Sequence, residues 1–467
     1  MAQTSNTPTL SIGSPVSVQG KKITVLGAAR SGVAAAELLK ARGAKVFVSD
    51  VAPADRITAQ VERLNSLGVE FETGSHSSKV FDAGLIVVSP GVPTNSPTLQ
   101  EAEKRGIRIV SELEVASWFC PSPMVGITGT NGKTTTTALT GRLLFDAKRK
   151  HIVAGNIGEA FSAVIPGIDP ETVAVLEVSS FQLDYVELFH PHIAIFLNLT
   201  PDHLDRYDGL MEKYVAAKCR IFQNQTKDDF LIYNFDDDDV RESVRRLASL
   251  HVTTLGFGID QQFDQGAFVE DGKLVTLIGN QRTEIIETEA ISIRGTHNLY
   301  NAMAASLTAQ ILGVPAPSIR ATLKNFKAPV HRLELLRDLD GVRYINDSKA
   351  TNVSSVWYAL QAYREPIVLL LGGRDKGNDY SKLYDLVQNN VKAIIAIGES
   401  ADVVVDEFKD KTKVSRADSM EEAVKQARAL ASSGDVVMLS PACASFDWFR
   451  NYEHRGEVFK ELVNKLS

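Results

Sequence analysis

The run Gly126-Ile127-Thr128-Gly129-Thr130-Asn131-Gly132-Lys133-Thr134-Thr135 follows the apolar pair Met124-Val125 and precedes a helix-compatible segment. Strand, glycine-rich turn and helix in that order make a loop whose backbone N–H groups converge on phosphate oxygens. In this reading Lys133 reaches the β- and γ-phosphates, the Thr134 hydroxyl ligates Mg²⁺, and ATP is the ligand. The strict spacing G-x-x-x-x-G-K-[ST] is not met, because Ile127 stands five residues before Gly132, so Gly126 and Gly129 serve the turn instead. That departure argues against an ordinary GTPase or motor.

Outward from the loop, the chain reads as α/β throughout. Towards the N-terminus, strands Ile23 to Leu26 and Lys45 to Ser49 flank an Ala-rich helix, a βαβ unit. Its turn, Gly27-Ala28-Ala29-Arg30-Ser31-Gly32, resembles the dinucleotide fingerprint with Ala29 in place of the middle glycine, and Asp50 falls where a ribose-binding acid would sit. Leu85 to Val88 is a further strand, opening into Ser89-Pro90-Gly91. Beyond the loop, the strand Val173 to Leu176 delivers Glu177, a carboxylate that could hold Mg²⁺ beside the phosphates. The next, Ile193 to Leu197, leads into Asn198-Leu199-Thr200-Pro201-Asp202-His203, an acid and an imidazole at the same sheet edge. Asp236 to Asp239 reads as a solvated loop, and residues 251–293 as short antiparallel strands. A helix carrying Asn298 and Asn301 follows, and Lys327 to Val330 resembles a linker. Strands at Arg343 to Ile345, Ile367 to Leu371, Ala393 to Ile397 and Val436 to Leu439 alternate with helices in a second doubly wound unit.

The expected architecture is therefore three α/β domains: a flexible lead-in over 1–20, a Rossmann-like domain over 21–112, a P-loop ATPase-like domain with a mainly parallel sheet over 113–328, and a Rossmann-like domain over 329–467. A chain of 467 residues with 44% hydrophobic content is long enough for about three cores. Its net charge of −7 leaves no basic footprint for nucleic acid. Cys120, Cys219 and Cys443 are sparse and without metal-type spacing, which predicts buried thiols in a reducing compartment. No stretch approaches the ~18 consecutive apolar residues of a membrane span. A cytoplasmic, monomeric enzyme is the expectation.

Several motifs in order resemble the Mur ligases: Gly129 to Thr134, Glu177-Val178-Ser179-Ser180-Phe181-Gln182, Asn198 to His203, His331-Arg332, and Asp347-Ser348-Lys349-Ala350-Thr351-Asn352. The last, with Ser440-Pro441-Ala442-Cys443-Ala444-Ser445, is similar to the D-glutamate-adding branch. The resemblance covers nearly the whole chain after residue 20. It implies ATP-dependent ligation of D-glutamate to UDP-N-acetylmuramoyl-L-alanine through an acyl phosphate, a step of peptidoglycan precursor synthesis.

Carried onto matching residues, the resemblance gives Gly129, Thr130, Asn131, Gly132, Lys133, Thr134 and Thr135 to the ATP phosphates. Two Mg²⁺ ions are implied, one at Thr134 and Glu177, the other at His203 and Lys218, the latter carrying a CO₂-derived carbamate. From the residues alone Lys218 reads as a surface lysine. Asn298 and Asn301, one turn apart, match adenine-side contacts and would otherwise read as exposed amides. His331, Asp347 and Lys349 match further nucleotide positions, and Arg332 matches the guanidinium that neutralises the transferred phosphoryl group. The catalytic set is thus Lys133, His203, Lys218 and Arg332. Arg30, Ser31, Asp50, Gly91 and Asn156 match the UDP-substrate site. Thr351, Lys376, Ser445, Phe446 and Tyr452 match the D-glutamate pocket, with Arg374 a competing cation beside Lys376. The rival readings are another Mur-type or folylpolyglutamate-type ligase, a non-catalytic nucleotide sensor, and a nicotinamide-dependent oxidoreductase.

Overall fold

The structure is a computed structural model that describes residues 16–247, 252–375 and 377–467. It divides into two compact units, residues 1–286 with 303–322 and residues 287–302 with 323–467.

The first unit holds two sheets. In the first, β1 (Lys22–Leu26), β2 (Lys45–Asp50), β3 (Glu70–Thr73), β4 (Leu85–Val88) and β5 (Arg108–Ser111) lie in the order β3-β2-β1-β4-β5, all parallel. The order reverses at β1, so the crevice for a ligand opens at the carboxyl ends of β1 and β4. Gly32 is required for that packing, since a Cβ there would lie 1.8 Å from the Gly27 carbonyl oxygen. Of the expected lead-in, residues 1–15 lie outside the described residues. Val16 to Gly20 is packed: Val18 is buried and the Gly20 N–H donates to the Gly43 carbonyl at 2.8 Å.

The second sheet comprises β6 (Met124–Thr128), β7 (His151–Gly155), β8 (Val173–Glu177), β9 (Ile193–Phe196), β10 (Phe230–Asn234), β11 (Thr253–Phe257), β12 (Gly266–Glu270), β13 (Lys273–Ile278) and β14 (Gln281–Glu287). Their order is β14-β13-β12-β11-β10-β9-β6-β8-β7. Strands β6, β8 and β9 are buried along their whole length, as central parallel strands covered on both faces should be. The expected antiparallel appendage is corrected in part: β12 and β13 pair antiparallel, but β11 pairs parallel to both β10 and β12. Nor is Asp236 to Asp239 a solvated loop. Asp238 starts the helix Asp238–Leu247, the Asp237 carboxylate accepts from the Leu199 and Val240 N–H groups at 3.0 Å each, and Asp236 accepts from the Ile259 N–H at 2.7 Å.

Glu114, buried on the helix Glu112–Trp118 that follows β5, ties this helix to the segment entering β9. Its carboxylate accepts from the Glu187, Leu188 and Phe189 N–H groups at 2.8 to 3.0 Å and from the Trp118 indole at 2.7 Å. Hydrogen bonds to a charged acceptor contribute more than neutral ones, and their loss strands buried donors. Glu114→Ala is expected to destabilise the fold by about 3 kcal/mol or more, read as a lower urea midpoint.

In the second unit, β15 (Glu334–Leu339), β16 (Val342–Asn346), β17 (Ile367–Gly372), β18 (Val391–Ile397), β19 (Lys413–Arg416) and β20 (Val436–Leu439) are ordered β15-β16-β20-β17-β18-β19. Only the β15–β16 pair, among the described residues, is antiparallel in this sheet. The segment Lys327 to Pro329, between the helix Ala316–Asn325 and β15, carries no helix or strand. The three cysteines are free and buried. Among the described residues no helix is long and apolar enough to cross a membrane.

Candidate active site

The phosphate loop leaves the buried strand β6 and ends where the helix Lys133–Asp146 begins. Gly129 has φ +147°, and a Cβ there would lie 2.9 Å from that of Leu197, so only glycine fits. The chain leaving β9 braces the loop. The Asn131 N–H donates to Asn198 Oδ1 at 2.7 Å, and Asn198 Nδ2 returns a bond to the Asn131 carbonyl at 3.0 Å. The Thr130 hydroxyl accepts from the Thr200 N–H at 3.0 Å and lies 3.0 Å from the Tyr214 hydroxyl. The Asn131 backbone and the Thr130 hydroxyl are thus both tied to the chain leaving β9, which holds the loop in a fixed shape.

Lys133 donates to the Gly129 and Thr130 carbonyls at 2.9 and 2.8 Å, and Lys218 donates to the same Gly129 carbonyl at 2.8 Å. Lys218 is no surface lysine. It lies on the inner face of the helix Met211–Cys219, 1% exposed, with its ammonium 4.7 Å from the Tyr214 ring centre. Burial, and Lys133 beside it, push its pKa well below the usual lysine value. A neutral amine is the form that adds CO₂, so the environment fits a carbamate.

Glu177 ends β8, in register with Ile127 of β6, and is buried. Asn156 Nδ2 donates to its Oε1 at 2.7 Å, while its Oε2 is buried with no hydrogen-bond partner among the described residues. An orphaned carboxylate oxygen beside a phosphate loop fits a hard divalent cation. Among the described residues no group of three His, Cys, Asp or Glu could hold a metal by itself, so hydroxyl or phosphate oxygens must complete such a site. His203, at φ +53°, is exposed; its Nε2 lies 3.7 Å from Asp202 Oδ2 and its ring meets Phe181 edge-on at 5.0 Å.

A pocket of about 580 Å³ opens at the carboxyl ends of the first sheet, and Arg30, Ser31, Asp50, Gly91 and Asn156 all line it. Arg30 Nη1 donates to the Gly158 carbonyl at 3.0 Å. Both Asp50 carboxylate oxygens are already accepting, from Ala28 N–H at 2.5 Å and Ala52 N–H at 2.7 Å, so Asp50 shapes the turn as well as facing the pocket.

The second unit carries the remaining residues. Asn298 and Asn301 are buried rather than exposed: Asn301 Nδ2 donates to Asn298 Oδ1 at 3.1 Å and Asn298 Nδ2 to the Arg294 carbonyl at 2.7 Å. His331, at φ +64°, is buried with Asn346 Nδ2 donating to its Nδ1 at 2.9 Å. Arg332 Nε is buried without a partner among the described residues. The Lys349 N–H donates to the His331 carbonyl at 3.1 Å, and the Lys349 ammonium lies 5.2 Å from the Tyr452 ring.

Asp347 accepts from the Ser440 hydroxyl at 2.9 Å and the Leu333 N–H at 3.2 Å. Burial outweighs these bonds and the nearby Arg332, raising its pKa to about 6. Because the folded pKa is the higher one, Asp347 costs no stability below pH ~4. The cost grows as pH rises, and is complete above pH ~6, where roughly two pK units correspond to about 3 kcal/mol. Asp347→Asn is therefore expected to gain stability relative to the parent on going from pH 4.5 to pH 7.5, measured by urea unfolding at each pH.

Of the residues expected to form an amino-acid pocket, Ser445 is buried, Thr351 half-buried, and Tyr452 opens the helix Tyr452–Asn464. Phe446 is 61% exposed. Lys376 lies outside the described residues. Arg374 pairs with Glu399 at 2.9 Å.

Three family models match the chain: "Mur ligase MurD-like, N-terminal domain" over residues 21–111, "Mur ligase middle domain" over 127–309 and "Mur ligase, glutamate ligase domain" over 331–443. The UDP-N-acetylmuramoylalanine–D-glutamate ligase of Salinibacter ruber is 47% identical over 460 residues, covering 97% of this chain and 99% of the relative. The chain belongs to the Mur ligase family. The enzyme of the same name from Chloroherpeton thalassium is 44% identical over 96% of this chain and 99% of its own. Among solved structures, the Mur ligase fold recurs in MurF from Acinetobacter baumannii (TM-score 0.62, 17% identity, 95% and 93% of the two chains covered). It recurs again in MurC from Thermotoga maritima (TM-score 0.59, 18% identity, 95% and 99% covered).

Three residues of this Mur ligase have no role in the sequence reading of the site. Asn198, Tyr214 and Arg455 reach the site motifs only through distant contacts. Arg455, buried, donates to the Ser348 hydroxyl at 3.0 Å, the Ser348 carbonyl at 2.8 Å and the Cys443 carbonyl at 3.1 Å, joining two motifs about a hundred residues apart. Asn198 was visible as a motif residue, whereas nothing in the pattern around Arg455 marks it.

Proposed function

We propose that this Mur ligase adds D-glutamate to UDP-N-acetylmuramoyl-L-alanine, converting ATP to ADP and phosphate. The observation that carries the reading is near-full-length identity of 44–47% to enzymes named for that reaction. The braced phosphate loop supports the ATP half, and the pocket joining Arg30, Ser31, Asp50, Gly91 and Asn156 supports the UDP half. We expect the enzyme to work in the cytoplasm, as a monomer.

In this reading the loop N–H groups and Lys133 bind the ATP phosphates, with Asn298, Asn301, His331 and Lys349 on the nucleotide side. Thr134 and Glu177 would hold one Mg²⁺, and His203 with the Lys218 carbamate a second; bound there, the ions would neutralise phosphate charge and polarise the reacting carboxylate. The L-alanine carboxylate attacks the γ-phosphoryl group, ADP leaves, and Lys133 and Arg332 balance the charge as it moves. The D-glutamate amine then attacks the acyl phosphate carbonyl, phosphate departs, and an amide remains. Thr351, Lys376, Ser445, Phe446 and Tyr452 position the incoming amino acid.

The test is phosphate release with ATP, Mg²⁺ and UDP-N-acetylmuramoyl-L-alanine, adding D-glutamate, L-glutamate, L-lysine or meso-diaminopimelate separately. Release with D-glutamate only, with the matching amide, supports the proposal. Release with another amino acid overturns the specificity and keeps the ligase; no release with any, despite ATP binding, overturns both.

A further inference from the structure

The pocket at the first sheet is lined by one imidazole that none of the motifs accounts for, His76. It sits on the turn after β3, two strands from the point where the strand order reverses. Ser49, buried near the end of β2, has its Oγ 2.6 Å from Glu72 Oε1 and 2.6 Å from His76 Nδ1. The Ser77 N–H also donates to Glu72 Oε1, at 2.9 Å.

The protons in this chain of bonds can be counted. Burial works to raise the Glu72 pKa, but hydrogen bonds from Ser49 and Ser77 outweigh it and keep the group below its ordinary value, so it is a carboxylate and only accepts. The single Ser49 hydroxyl proton therefore goes to Glu72, and the Ser49 oxygen must accept from His76 Nδ1–H. Burial lowers the His76 pKa despite the nearby Glu72 and Asp50 carboxylates, so the ring is neutral at pH 7. A neutral imidazole with its proton on Nδ1 carries a lone pair on Nε2.

We propose that His76 Nε2 reads the base of the nucleotide-linked substrate, accepting a hydrogen bond from a pyrimidine imide such as uracil N3–H. The proposal rests on the reading of this pocket as the UDP site. The placement follows from the fold. The pyrophosphate belongs at the N-terminus of the helix Arg30–Ala41, where backbone N–H groups are free to donate. The ribose then lies at the end of β2, beside Asp50. The base comes next along the sheet, at the end of β3, where His76 stands. Uracil offers a donor at N3, whereas cytosine offers a lone pair that would face the Nε2 lone pair. Selection between them thus needs no charge, only the tautomer that Glu72 and Ser49 impose. Ser49 is in this sense a positioning residue and His76 a specificity-determining one.

Calorimetric binding of UDP, CDP and N3-methyl-UDP to the full chain tests this. The parent is expected to bind UDP about tenfold more tightly than either analogue. His76→Phe should weaken UDP about tenfold, leave CDP unchanged, and raise KM for the UDP-linked substrate without altering kcat or KM for ATP. Ser49→Ala keeps the ring but frees its tautomer, so it should narrow the UDP-to-CDP ratio, a change that loss of packing alone would not produce. An unchanged ratio in His76→Phe, with UDP still bound by the parent, overturns the role of His76 and leaves the pocket reading intact. Failure of the parent to bind UDP overturns the pocket reading and this inference with it.

Discussion

Lys133→Ala is expected to lower ligase turnover by about a thousandfold or more while the protein remains folded. The size of the effect follows from where charge moves. The γ-phosphoryl group leaves ADP with negative charge developing on the bridging oxygen, and a preorganised cation there acts only as that charge appears. The Lys133 ammonium is already aimed at the loop, held by the Gly129 and Thr130 carbonyls. The Gly129 carbonyl keeps the Lys218 ammonium as a donor when Lys133 is removed, so the folding cost is small by comparison. Steady-state ADP formation with circular dichroism on the same sample checks it. Retention of a tenth of the parent's activity would show that the loop lysine is not the phosphate ligand.

Lys218→Ala should be comparably inactive for a different reason. Its side chain is enclosed, its amine pKa is driven down by burial and by Lys133, and its Nζ shares the Gly129 carbonyl with Lys133. A buried lysine left as an amine contributes little beyond one hydrogen bond. Converted by CO₂ to a carbamate, as proposed, it would become an anion facing the phosphate loop and could share a cation with His203. Truncation to alanine removes that anion and leaves space for a small carboxylate, so added formate or acetate should restore part of the activity. Rescue is the telling readout, because damaged packing would not respond to a carboxylate. Parent-level turnover by the purified variant, unaided, would exclude the carbamate.

The sequence reading located the strands that lead into the phosphate loop, Glu177 and the Asn198 to His203 segment, and passed over others, among them β3, which carries Glu72, and β7, which leads into Asn156. Strands β6, β8 and β9 read clearly because central parallel strands are apolar on both faces and each runs straight into a polar, reactive residue. The strands not resolved as such, β3, β5, β7, β15 and β19, lie at sheet edges. Their burial is partial, as in the Glu70–Thr73 and Lys413–Arg416 segments, so polar residues interrupt the apolar run that would have marked them. Strand β10 was passed over too, although it lies inside the second sheet.

By itself the sequence determined the phosphate loop, the α/β class and the ordered motifs of the Mur ligases, because spacing between neighbours in the chain is a local property. Tertiary structure alone decided which polar groups are enclosed. It turned Lys218, Asn298 and Asn301 from nominal surface residues into buried ones, left one Glu177 oxygen without a donor among the described residues, and set Arg455 between two distant loops. It also brought Glu72, Ser49 and His76 into one chain of hydrogen bonds. Burial and hydrogen-bond direction depend on which distant segments pack together, and no periodicity along the chain encodes that.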